Sequence, residues 1–329
     1  MGTSSLRVPL RWAVGVLVAA VLTIVATAPD EPAAPGPAAE QPATSAADPP
    51  VDDAEAGGAP AEAGEATPIT FPTPGTAGLP EGWTPRSTHT GDLHLSEPGA
   101  VVSDLRITDG VIYVEAENVT LRRVQAVGSR VVNDAGPVCG SGLLVESSEF
   151  VRSSVQTSDG DQQVIGNGGF TVRDVVIDGV PEGIRVGAAQ CGDVVVEDSF
   201  IRVVPPDVCN DWHGDGIQGY GGGSLTVKNT RIIMHETADC SGTAPFFYPS
   251  GQGNTSLTID GLLVEGGGYA FRAGTPGSVR NLQVVRDTWG YGPVDVLCSA
   301  LTTWQAHTVT VGDGRTRRLE PIECGGSGN

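Results

Sequence analysis

The chain has 329 residues, a formal net charge of −20 and 5% aromatic residues. Its 39 acids and 19 bases, less the nine acids and two arginines of the first 68 residues, leave 30 against 17 beyond that point, a balance of −13. An acidic surface of this kind argues against a nucleic-acid partner, which needs a basic stripe, and favours solubility.

Residues 1–28 read as an export segment. Arg7 and Arg11 form a basic start, an apolar run follows from Ala13 to Ala28, and Ala26-Thr27-Ala28 fits a small-residue cleavage site. The run is shorter than the roughly 20 residues of a spanning helix, although Leu10 to Trp12 extend it. Two outcomes stay open: a cleaved signal peptide, with the protein secreted, or an uncleaved anchor over residues 10–28 that contacts the membrane. Both place the remainder outside the cytoplasm. Residues 29–68 hold Ala, Pro, Gly and acids with no base and almost no apolar bulk. Nothing there offsets the entropy of ordering, so a disordered spacer is expected.

Residues 69–329 read as one domain, and from Ala100 onward the chain repeats itself. Gapless eight-residue segments begin at Ala100, Val119, Leu143, Phe170, Val194, Leu225 and Leu257, with a weaker copy near Val279. The first column (Val119, Leu143, Phe170, Val194, Leu225, Leu257) and the third (Leu121, Val145, Val172, Val196, Val227, Ile259) are apolar, and the last is mostly so. Positions one and three of a strand share a face, so each segment is a strand with one buried side. Short strands recurring in coils of about 24 residues, with glycine turns, predict an all-β parallel β-helix of about eight or more coils. A sandwich would show hairpins instead. Asp174, Asp198 and Asn229 share one column, where a ladder capping turn amides is expected.

A second strand follows each first one: Gly183-Ile184-Arg185, Gly216-Ile217-Gln218, Phe246-Phe247-Tyr248 and Ala270-Phe271-Arg272. Setting Ile184, Ile217, Phe247 and Phe271 inward turns Arg185, Gln218, Tyr248 and Arg272 outward in one column. Two adjacent coils carry longer loops, Pro205 to Asp215 and Ile233 to Pro245. The stretch Cys209 to Tyr220, CNDWHGDGIQGY, gathers Asp211, Trp212, His213, Asp215 and Gln218 within one of them; the other holds His235, Glu236 and Asp239. Loops on a rigid repeat usually carry its function.

The repeat resembles the right-handed parallel β-helix of the pectate-lyase-like superfamily over about residues 90–295. The opening FPTPGTAGLPEGW and the segment His213-Gly-Asp-Gly-Ile-Gln218 are similar to those of secreted bacterial β-helix proteins. The Asp215-Gly216 step faintly resembles the Asn-Thr-Asp motif of polygalacturonase-type glycosidases, with His213 and Gly214 in place of Asn-Thr. The paired Asp-Asp, Gly-His-Gly and Arg-Ile-Lys motifs of those enzymes have no counterpart.

Two function classes follow. The first is a polysaccharide lyase or glycoside hydrolase working in a groove along the helix. For a lyase on a uronate polymer, Arg185 or Arg272 would clamp the sugar carboxylate, and His213 or Tyr248 would take the proton. For a hydrolase, two of Asp211, Asp215, Glu236 and Asp239 would stand at catalytic separation. Asp211 and Asp215 are also the candidates for a Ca²⁺ site, and Trp212 for a sugar-stacking platform. The catalytic candidates are therefore Asp215, His213, Asp211 and Arg272, and those for substrate binding Arg185, Gln218, Tyr248 and Trp212. The alternative class is a non-enzymatic, surface-displayed glycan-binding or structural module. The expected partner is a polysaccharide or cell-surface glycan, bound by a monomer.

The six cysteines behind an export segment, with no CxxC pair, predict disulfides. The repeat register pairs Cys139 with Cys191, Cys209 with Cys240 across the two long loops, and Cys298 with Cys324 at the C-terminal end.

Overall fold

The computed structural model describes residues 70–153, 162–210, 212–312 and 315–328. Residues 1–68, read above as an export segment and a spacer, and Asp211 lie outside the described residues. Those described form a parallel β-helix built on two sheets, one of 12 strands and one of nine. Successive strands of each sheet come from successive coils, so the chain passes from one sheet to the other and back in every turn.

The larger sheet holds the repeat. Its register is the gapless alignment read from sequence: Val194 lies opposite Leu225, and Leu225 opposite Leu257. The first and third columns are buried. The eighth column is buried as well, although an even position on a regular strand faces the other way. The fifth residue resolves this. Asp104, Arg123, Ser147, Asp174, Asp198, Asn229 and Asn281 have φ between 38° and 56°, and Gly261 has φ 89°. One left-handed residue bends each strand and resets its phase, so positions one, three, six and eight all point inward. After glycine, Asn and Asp tolerate this region best.

The sixth column carries the consequence. The bend interrupts the ladder, and buried hydroxyls repair it. Ser148 Oγ accepts from the Val124 amide at 3.0 Å, and Ser199 Oγ accepts from the Val175 amide at 3.2 Å. The predicted ladder at the fifth column runs sideways between side chains. Asn229 Nδ2 donates to Asp198 Oδ1 at 2.7 Å, and Ser147 Oγ donates to Asp174 Oδ2 at 2.9 Å. Among the described residues the one amide these three cap belongs to another segment: Gly78 N donates to Asp174 Oδ1 at 3.1 Å.

That amide belongs to the FPTPGTAGLPEGW stretch, which runs across the outside of the larger sheet. Phe71 packs on Leu263 and Val309, and Ala77 on Val176, Phe200 and Ile233. Trp83 Nε1 reaches Asp104 Oδ1 in an early coil, 3.2 Å away. The stretch thus covers an outward apolar patch that the repeat leaves.

All three predicted disulfides are present, with Cα separations of 5.3 Å for Cys139–Cys191, 5.5 Å for Cys209–Cys240 and 5.9 Å for Cys298–Cys324. At the C-terminal end Leu301–Gly312 pairs antiparallel with Arg315–Pro321. Val296 N donates to Gly325 O at 2.9 Å, so the tail lies along the last strand of the smaller sheet. Among the described residues no helix is long and apolar enough to cross a membrane.

Candidate functional site

The nine strands of the smaller sheet expose one face, and its register fixes which side chains stand there. Arg185 lies opposite Gln218, Gln218 opposite Phe247, Phe247 opposite Arg272, and Arg272 opposite Asp295. Further toward the first coils the same column holds His94 and Tyr113, whose rings stack at 4.7 Å. Neighbours in such a column stand about 4.8 Å apart.

This register corrects the expected orientation of the third strand by one residue. Phe246, not Phe247, lies opposite Ile217. Phe247 therefore faces outward, and Tyr248 is fully buried. Its hydroxyl donates to Gly223 O at 3.3 Å, and burial pushes its phenol pKa up, with Asp193 adding to the effect. Tyr248 thus has no place on the outer face as base or sugar contact. Its ring requires Gly219, where a Cβ would stand 2.1 Å from the Tyr248 ring.

Two further candidates from the central stretch also turn inward. Trp212 is 3% exposed and joins the core, its Nε1 donating to Pro181 O at 3.0 Å. It anchors the loop and offers no stacking surface. Asp215 is not a loop residue: it opens the Asp215–Gly219 strand and is 0% exposed. His213 is exposed in the loop between them. Glu236, in the second long loop, accepts from Gly242 N at 3.0 Å.

Asp215 nevertheless borders the outer face from beneath. Gly183 N donates to Asp215 O, which sets Glu182 beside it in the preceding coil. Asp215 Oδ1 accepts from Ala244 N at 3.1 Å, and Oδ2 has no partner among the described residues. Burial, then the Glu182 charge, pushes its carboxyl well above the usual range, against the pull of the Ala244 amide, Arg185 and Arg272. Burial and a neighbouring like charge both favour the protonated form.

The charges of the face are paired internally. Arg185 donates to the 2%-exposed Glu182 at 2.7 Å and to Gln218 Oε1 at 3.2 Å. Arg272 pairs with Asp295 at 3.1 Å. Asp295 Oδ1 also accepts from Ser327 N at 2.7 Å and Gly328 N at 3.0 Å. Against burial, those amides and Arg272 hold its carboxyl below the ordinary range. The Arg272 guanidinium lies over two rings, 5.2 Å from Phe247 and 5.6 Å from Tyr269. Tyr291 extends this cluster, its ring 5.8 Å from Tyr269 and 82% exposed. Tyr220, 66% exposed, follows Gln218 by two residues.

The structure thus brings Arg185, Gln218 and Arg272 together, as expected, and adds Glu182, Phe247, Tyr269, Tyr291 and Asp295. Glu182 was visible in the sequence, since Glu182-Gly-Ile-Arg185 repeats the pattern of Asp215-Gly-Ile-Gln218. The tyrosines carried no local signal: Tyr269 opens a strand and Tyr291 precedes one, and only the register shows that they converge. No group of three or more metal-ligating side chains occurs among the described residues. No family model, curated protein or solved structure matches the chain.

Proposed function

We propose that this β-helix is an extracytoplasmic glycan-binding module, with the outer face of its smaller sheet as the binding surface. One observation carries the reading: four of the chain's five tyrosines, Tyr113, Tyr220, Tyr269 and Tyr291, lie on that face or at its rim with Phe247. Exposed aromatic rings beside polar groups suit sugars, which offer apolar ring faces and hydroxyl edges. The three disulfides and the export segment support a location in an oxidising compartment outside the cytoplasm. The repeat's resemblance to the pectate-lyase-like superfamily agrees with a polysaccharide ligand. A β-helix can serve many functions, so the site carries the argument and the fold does not.

A lyase or hydrolase reading draws on one observation, the buried Asp215 carboxyl beside Glu182 and the two arginines, raised above its ordinary range, because perturbed carboxyls cluster at catalytic sites. Its burial and its bond to Ala244 N weigh toward a supporting role. The two readings separate in one assay. The purified protein is incubated with a panel of polysaccharides, with and without Ca²⁺, while reducing ends, unsaturated products and retention in affinity gels are followed. Retention without product supports the binding module; product whose release is lost in Asp215→Asn supports the enzyme.

A further inference from the structure

We infer that the ligand of this face is a neutral polysaccharide, not a uronate or other polyanion. This rests on the reading of the face as a glycan site and names the class of sugar it takes.

Two cations of the face, Arg185 and Arg272, would have to recognise a sugar carboxylate. Each guanidinium already balances the charge of a buried carboxylate. Arg185 is held by Glu182 and by Gln218 Oε1. Arg272 is held by Asp295 and lies over Phe247 and Tyr269. Each guanidinium keeps further N–H groups, but a uronate would have the full positive charge to itself only by breaking the present pair. That would strand Glu182 or Asp295, both buried, with a charge and no cation beside it. Removing one partner of a buried ion pair is strongly unfavourable. Asp295 is further fixed by the Ser327 and Gly328 amides, so it cannot swing aside to make room.

The surroundings add to this. The segment beyond residue 68 carries 30 acids and 17 bases, so a polyanion approaches a surface of its own sign. What the face does offer is uncharged. Tyr291 exposes its ring. Gln218, with its amide oxygen accepting from Arg185, keeps its amide N–H groups to donate to a hydroxyl. The ion pairs also have a role in this picture: they rigidify the face. Arg272, bridged to Asp295 and laid over Phe247 and Tyr269, sets the plane of the aromatic surface, and a sugar ring meets a surface already ordered.

The test is affinity electrophoresis of the full chain in gels containing galactomannan, β-1,4-glucan or β-1,3-glucan as neutral polymers, and polygalacturonate or alginate as uronates. The expected result is retardation by at least one neutral polymer, unchanged by added salt. Tyr291→Ala should weaken it about tenfold, with the melting temperature unchanged. Retardation by a uronate polymer in preference, relieved by salt, would overturn the neutral-ligand inference and leave the glycan face standing. Retardation by none of the five would bring down the glycan reading and the inference with it. If neutral binding survives Tyr291→Ala intact, the ligand is not on this face and the inference fails.

Discussion

The two sheets treat their outward aromatic and aliphatic residues in opposite ways. On the larger sheet, Val176, Phe200, Ile233 and Leu263 point away from the core and are still buried, because Phe71 and Ala77 lie on them. Around them the outward positions are matched ion pairs such as Arg173–Glu197 and Arg202–Asp178. On the smaller sheet Phe247 is half-buried, and Tyr220 and Tyr291 stand in the open. The chain seals one outward apolar patch with residues 71–83 and leaves the other bare, which is the contrast that the proposed binding role of the smaller sheet rests on. Exposed apolar clusters on soluble proteins mark interaction sites.

The largest effect should come from the sealed side. Phe200→Ala removes a ring held between Ala77, Val176 and Ile233, and truncations of this kind cost about 3–5 kcal/mol. Chemical unfolding should show that loss, while polysaccharide retention by the folded variant stays at the parent level. Loss of retention in a fully folded Phe200→Ala would dissolve the division between the two faces.

Next in size is the loop staple. Replacing Cys209 and Cys240 together with Ser opens a closed loop with a separation of 31 residues, for a loss of about 2–4 kcal/mol. Because Trp212 and Asp215 hold the same loop to Pro181 and Ala244, the outer face should keep its form. Unfolding midpoints of parent and variant under oxidising conditions measure the loss; reduction, which opens the other two bridges in both, should lower the parent further than the variant.

The sequence showed the coils plainly and the site only in part, for physical reasons. Apolar residues recur in fixed columns because stacked coils share one core, so even the register of Leu225 on Leu257 could be read without structure. The burial of Ser148, Ser199 and Thr230 could not, since it follows from a left-handed residue just before each. Phe246-Phe247-Tyr248 shows the limit of pattern reading. All three residues are apolar enough to face a core, and a slip by one exchanges inside and outside. Trp212 and Asp215 were misplaced for a related reason: a cluster of reactive residue types in a loop looks like a site, whereas the chain here uses them to fix that loop to its neighbours.

The third effect tests Asp215 through pH. Its carboxyl is raised in the folded protein, chiefly by burial and then by Glu182. The folded state therefore keeps a proton that the unfolded chain has given up. The stability this group contributes is complete below the ordinary carboxylate range and declines as pH rises toward the raised value, by at most about 1.4 kcal/mol per pH unit. Asn cannot ionise and keeps an oxygen for the Ala244 amide. The stability of Asp215→Asn minus that of the parent should thus grow from about pH 4 upward, measured by urea unfolding at matched ionic strength. Asp104 sets the contrast: its bidentate bond to Arg123, against burial, holds it at about 2. Its contribution is present at neutral pH and is lost only as pH falls through that value, and it cancels in the difference. A difference that stays flat would mean that Asp215 is ionised in the folded protein.

The smallest effect sharpens the comparison most, because it sets one tyrosine against another. Tyr248 and Tyr291 belong to neighbouring parts of the same sheet, one fully buried and one 82% exposed. Tyr248→Phe keeps the ring that Phe246 and Gly219 pack against and removes only the bond to Gly223 O. A neutral hydrogen bond is worth about 0.5–1.5 kcal/mol, so the midpoint should fall slightly and retention in polysaccharide gels should not change. Tyr291→Phe should do neither, since an exposed side chain away from special features moves stability by about 0.5 kcal/mol or less and a stacking ring survives the change. Retention that drops with Tyr248→Phe but not with removal of the Tyr291 ring would place recognition inside the coil and leave the outer face without a function.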